Sequence, residues 1–107
     1  MQHASKFELG FAPEVVEHLA AIERKHHPLI QTTLDEQLVH APDKKTRNRK
    51  PVEQPAPFEA TWELRFGPGN RFRVFYEVDP VEHVVWILAI GVKENERLFI
   101  GGEEFKL

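Results

Sequence analysis

Two arginines, Arg65 and Arg73, carry the clearest chemical signal in this chain. They lie in the stretch ELRFGPGNRFRVFYEVD, Glu63 to Asp79, where two alternating apolar runs flank Gly-Pro-Gly-Asn. Pairing Phe66 with Phe72 and Leu64 with Val74 keeps the apolar residues on one face, because a slip by one residue would put an apolar face opposite a polar one. That register leaves GPGNR as the loop and sets Arg65 directly across from Arg73. Like charges opposed on neighbouring strands are destabilising, so the pair predicts a bound anion. Two guanidiniums suit a phosphate, since each presents a planar fork of donors and stays charged at physiological pH. A second reading stays open, in which Glu63 or Glu77 neutralises the cluster. In either case Arg73 is expected to face solvent, with Arg71 in the loop and Lys93 beyond the next strand extending the patch.

A basic run precedes the hairpin: Lys44, Lys45, Arg47, Arg49 and Lys50 fall within seven residues. The formal net charge is −3, yet the segment from Lys44 to Arg73 holds eight Lys or Arg and three Glu, so the remainder carries −8. Distribution matters more than the sum for polyanion binding. A nucleic-acid backbone running from the basic loop onto a cationic sheet face fits this polarity, as does a solvated loop beside solvated helices.

The elements that must position these residues are readable from periodicity. KFELGFAP alternates Phe7, Leu9 and Phe11 and ends at Pro13, which predicts a short strand leading into a helix. From Pro13 to about Lys25, Val15, Val16, Leu19, Ala20 and Ile22 recur at helical spacing, with acidic residues near the N-terminal end. HHPLIQTTLDEQLVHAP repeats the pattern until Ala41-Pro42, so a helix hairpin is expected. Residues 43–60 contain three prolines and no clear period, which predicts a long surface loop with a functional role. TWELRF and RFRVFYEV each present one apolar face, whereas HVVWILAIGV is apolar on both, as a central strand should be. Leu98, Phe99 and Ile100 form a further short apolar strand before a Gly-Gly break into a tail. The expected class is α+β, in a single domain over 1–107: an N-terminal strand, then a two-helix hairpin packed on an antiparallel sheet whose last three strands form a meander.

Several chemistries are disfavoured. Cysteine is absent, so disulfide and thiolate-zinc frameworks are excluded. His26-His27 lacks a second histidine at ligand spacing, and no metal or other cofactor is expected. GPGN reads as a hairpin turn and not as a nucleotide-phosphate loop. Tyr76 shares the parity of Val74 and Val78 and reads as a packing residue; His83 lies at a turn. The N-terminus lacks the apolar run of a leader and no segment is long enough to span a bilayer, so a cytoplasmic protein without membrane contact is expected.

Taken in order, the strand, the helix hairpin, the basic proline-containing loop, WELRF, RFRVFYEVD and VVWILAIGVK resemble the RelE/ParE toxins of bacterial type II toxin-antitoxin modules. The resemblance implies a small cytoplasmic toxin held inactive by a cognate antitoxin protein. One branch cleaves mRNA on the ribosome without a metal; the other poisons DNA gyrase. It further implies that Arg73 serves the scissile phosphate, that Arg65 is its basic partner on the preceding strand, and that Lys93 is the cation after the last core strand. Metal-free RNA cleavage needs a base near the 2′-hydroxyl, positive charge at the phosphorane-like transition state and an acid for the leaving oxygen. Glu53, near where some relatives keep a catalytic glutamate, and Glu63 are the candidate bases. Lys44, Lys45, Arg47, Arg49, Lys50 and Arg71 are the expected RNA and ribosome contacts. Leu98, Phe99 and Ile100, as an unpaired strand at the sheet edge, are the expected antitoxin dock. The chain departs from the family in placing Glu63 where some relatives carry lysine and Phe99 where tyrosine or histidine is common, and in being less basic. A gyrase inhibitor, or an inactive homologue that only binds its antitoxin, are the alternatives.

Overall fold

A computed structural model describes residues 6–106 of the chain. Residues 1–5, part of the stretch read above as lacking a leader, and Leu107 lie outside the described residues. The class is α+β: a helix pair packs on a mostly antiparallel seven-stranded sheet. The strands are β1 (Glu8–Phe11), β2 (Arg49–Pro51), β3 (Trp62–Phe66), β4 (Phe72–Asp79), β5 (Val84–Glu94), β6 (Arg97–Ile100) and β7 (Glu103–Phe105). Strands β2 to β7 follow one another across the sheet as an antiparallel meander, and β1 pairs in parallel with β5. The helices are α1 (Val15–Ala20) and α2 (His27–Gln37).

Strand β5 explains the layout. One of its edges is taken by β4 along its length. The other is shared, with β1 on Val84 to Ile87 and β6 on Gly91 to Glu94. Between them, among the described residues, the backbone of residues 88–90 has no strand partner on that side, and α1 packs there. His18 of α1 is buried and its Nδ1 accepts the Ile90 amide at 3.2 Å, satisfying a donor that would otherwise be stranded. A bulge at the same level, between Phe75 and Tyr76, lets β4 skip Leu88 and bends the ladder. Gly91 lies in this crowded region, where a Cβ would come within 2.8 Å of the Phe99 carbonyl oxygen.

The helix-covered face holds the main core, with Val15, Ile22, Ile30, Leu34 and Leu38 of the helical layer against Leu64, Phe72, Val74, Tyr76 and Ile87 of the sheet. A second, smaller core of Ala60, Phe75, Ala89 and Ile100 lies on the opposite face. The two-sided apolar pattern of β5 thus has cover on both sides, as its sequence implies.

Four features differ from the sequence expectations. Helix α1 stops at Ala20 instead of continuing to Lys25, and a 3-10 turn, Arg24–His26, leads into α2. His27 ends it: its Nε2 lies 2.9 Å from both the Leu19 and Ile22 carbonyl oxygens, capping groups that the helix leaves open. Helix α2 likewise ends at Gln37, short of Ala41-Pro42. The segment 43–60 is not merely a loop, because β2 pairs with β3 and the 3-10 turn Pro57–Glu59 helps cover the second core. Gly101 and Gly102, both at positive φ, do not release a mobile tail; they turn the chain into β7, which pairs with β6. Glycine, lacking a Cβ, adopts such backbone at no steric cost.

Candidate functional site

The hairpin register is the one the face pattern dictates: Phe66 opposite Phe72, Leu64 opposite Val74, and Arg65 opposite Arg73. The arginine charges are answered within the protein. Glu63 is buried, and its Oε2 accepts from Arg73 Nη1 at 3.2 Å. Its Oε1 accepts from Arg65 Nε at 3.4 Å and lies 3.9 Å from Lys50 Nζ. Lys50 stands directly across from Glu63 in the β2–β3 pairing. One carboxylate therefore gathers three cations, and the cluster keeps an excess of positive charge.

Arg73 corrects an expectation. It is 8% exposed, not solvent-facing, and its Nε donates to the Asn70 carbonyl at 2.8 Å. Tied at both ends of its guanidinium, it is held rigidly under the groove. Arg65 keeps about a third of its side chain exposed and is the more accessible of the two.

These side chains open into a groove of about 500 Å³ on the face away from the helices. Val52, Glu53, Pro55, Ala56 and Pro57 line one part of it and β7 another, with Glu63, Arg65, Arg73 and Phe75 contributed by the sheet. Glu53, Glu63, Arg65, Arg73 and Lys93, the five residues singled out for chemistry, all line this groove. A smaller recess of about 240 Å³ shares Arg73 and Lys93 and extends past Gly69.

Other expected contacts are dispersed. Lys44, Lys45 and Arg47 are exposed on the loop. Arg49 is buried instead: its Nη1 donates to the Gln37 carbonyl and lies 3.4 Å from that of His40, so it caps α2 and does not present its charge to a polyanion. Arg71 faces a different recess, beside His18, His26 and Phe99, and pairs with Glu94 at 3.3 Å. Phe99 is in that recess too, remote in facing from the groove. Leu98 and Ile100 belong to the groove side, where Leu98 lines the groove and Ile100 is in the second core. With β5 on one side and β7 on the other, β6 is not an unpaired strand. Its expected role as an edge template is therefore withdrawn.

Tyr76 is fully buried, in keeping with its parity, and its hydroxyl donates to the Pro42 carbonyl at 2.8 Å. Burial pushes the phenol far above its usual range, partly countered by Arg49, so it is no acid or base at neutral pH. Sequence reasoning missed Arg97 of β6 and also Glu104, Phe105 and Lys106, the last three lining the groove because β7 folds back on β6. The Gly-Gly pair, a turn signal directly after Leu98–Ile100, was the available signal for that hairpin.

Among the described residues no group of His, Cys, Asp or Glu has the arrangement of a metal site, and no helix is long and apolar enough to cross a membrane. Compared with protein-family models and with curated proteins, the chain finds no match.

Proposed function

We propose that this chain is a toxin of the RelE/ParE kind that cleaves mRNA on the ribosome without a metal. The observation that carries the reading is the convergence of Arg65, Arg73, Lys93 and Glu53 in one groove beside an exposed basic loop. The element order, from the first strand through the helix pair to the arginine hairpin, supports the likeness to that family.

In this scheme Arg65 and Lys93 hold the scissile phosphate and Arg73, fixed by Glu63 and the Asn70 carbonyl, supplies preorganised positive charge beneath it. Glu53, exposed at the groove, takes the proton from the 2′-hydroxyl. The 2′-oxygen then attacks phosphorus, and the 5′-oxygen leaves with a proton from Lys93, giving a cyclic phosphate and a 5′-hydroxyl. Glu63 acts by orienting the arginines, since both of its oxygens are engaged by cations. Lys44, Lys45 and Arg47 bind the RNA or ribosomal backbone. A cognate antitoxin with an acidic segment would mask this surface.

A second reading, a non-catalytic gyrase inhibitor or antitoxin-binding homologue, draws on the engagement of Glu63 and on the position of Phe99 outside the groove. Inducing the protein in cells and mapping new 5′ ends separates them. Discrete cuts within translated messages are expected; growth arrest with gyrase-dependent DNA breaks, or no toxicity, would overturn the ribonuclease reading.

A further inference from the structure

The groove is not a uniformly cationic channel. Its cations are Arg65, Arg73, Lys93, Arg97 and Lys106. Against them stand Glu53, Glu63, Glu96 and Glu104, leaving one more cation than carboxylate among the described residues of the lining. Such a lining matches a ligand of single negative charge and offers little to a string of phosphates. The rest of the lining is apolar: Phe75, Leu98 and Phe105 from the strands, with Val52, Ala56 and Pro57 facing them. Phe105 is half-buried against the second core, so one part of its ring is packed while the other borders the groove. Arginines and an apolar aromatic shelf share a volume of about 500 Å³, a size suited to one small ligand.

We infer that the groove binds a single nucleotide unit, with one phosphodiester on Arg65, Arg73 and Lys93 and its base packed on the shelf formed by Phe105 and Leu98. This rests on the ribonuclease reading and deepens it: the base adjoining the scissile phosphate is held by the protein itself, unstacked from its neighbours. Aromatic rings accept every base, because each has a π-face, and such contacts commonly contribute a measurable share of affinity. The exposed basic loop then handles the flanking backbone, which the groove does not.

The test uses the full chain and three probes: a dinucleotide whose first sugar is 2′-deoxy and so cannot be cleaved, the same phosphodiester lacking both bases, and inorganic phosphate. Heteronuclear NMR titration reads affinity and the responding residues together. The dinucleotide is expected to bind about tenfold more tightly than its abasic counterpart, as one base-aromatic contact implies, with shifts at Phe105 and Leu98. Phe105→Ala should reduce that ratio to about threefold or less while leaving phosphate affinity unchanged. Phe105→Leu, which keeps the apolar packing, should do the same and guards against a folding defect in the alanine variant. Arg65→Gln should weaken all three probes. Equal affinity for base-bearing and abasic probes would overturn the inference. Its failure is distinct from that of the ribonuclease reading: message cuts without base-dependent binding refute only the nucleotide shelf, whereas base-dependent binding without cuts refutes only the cleavage.

Discussion

Two buried arginines, Arg49 and Arg73, come from neighbouring parts of one sheet and have equal exposure of 8%, yet they are used in opposite ways. Arg49 turns toward the helix side and gives its guanidinium to the backbone carbonyls that end α2. Arg73 turns to the groove side and meets a carboxylate that two further cations already approach. The first arrangement consumes the charge in closing a helix. The second concentrates charge where a ligand can reach it. A basic residue in sequence therefore says little about function until its face is known, and one alternation of the strand decides the face.

The comparison can be broken most forcefully on the helix-covered side. Leu64, fully buried beside Glu63 and Arg65 but on the opposite face, should cost about 2–5 kcal/mol when replaced by alanine. Chemical denaturation should report that loss, and ligand affinity measured on the folded fraction should be unchanged. Arg49→Met should destabilise by about 2 kcal/mol, because charged hydrogen bonds to backbone are lost while the stem's packing is kept. It should leave the salt dependence of RNA binding as it was, whereas replacing Lys44, Lys45 and Arg47 by serine should flatten that dependence. Tyr76→Phe, removing the bond to Pro42, should cost about 1 kcal/mol.

The smallest effect is a pH dependence. His18 accepts the Ile90 amide only when Nδ1 is unprotonated, and burial holds its pKa below the ordinary 6.5 despite the opposing charges of Glu14 and Glu17. A folded-state value below the unfolded one means the contribution is complete above the unfolded value and is lost as pH falls from there toward the folded value. Stability measured between about pH 7 and pH 5 should decline, and His18→Gln should flatten the decline. An unchanged slope would show that His18 does not titrate in that window.

Much of this fold was legible because strand alternation is a strong constraint. The apolar parity of Leu64, Phe66, Phe72 and Val74 fixes the hairpin register, and with it the opposition of Arg65 and Arg73. What was not legible depends on contacts distant in sequence. Arg49 sits in a run of five basic residues that look alike, and only its approach to Gln37 sets it apart. Phe75 shares parity with Arg73 and Glu77 and reads as a polar-face exception, until the segment around Pro57–Glu59 folds over it. The neutralising role of Glu63 was one of two open readings, and geometry favours it, although three cations meet this one carboxylate. The groove's far side was missed because a three-residue strand such as β7 is too short for alternation to declare itself.

The central claim, that the groove side carries the chemistry and the helix side carries stability, is tested most directly by comparing Arg65→Gln with Arg49→Met. Both would be assayed for cleavage of a message in a purified translation system at matched folded concentration. The account predicts that Arg65→Gln, altering a side chain about a third exposed, folds normally and loses about a hundredfold or more in cleavage. Arg49→Met should cleave at the wild-type rate while unfolding at lower denaturant. Full cleavage by the Arg65 variant, or loss of cleavage by the folded Arg49 variant, would contradict it.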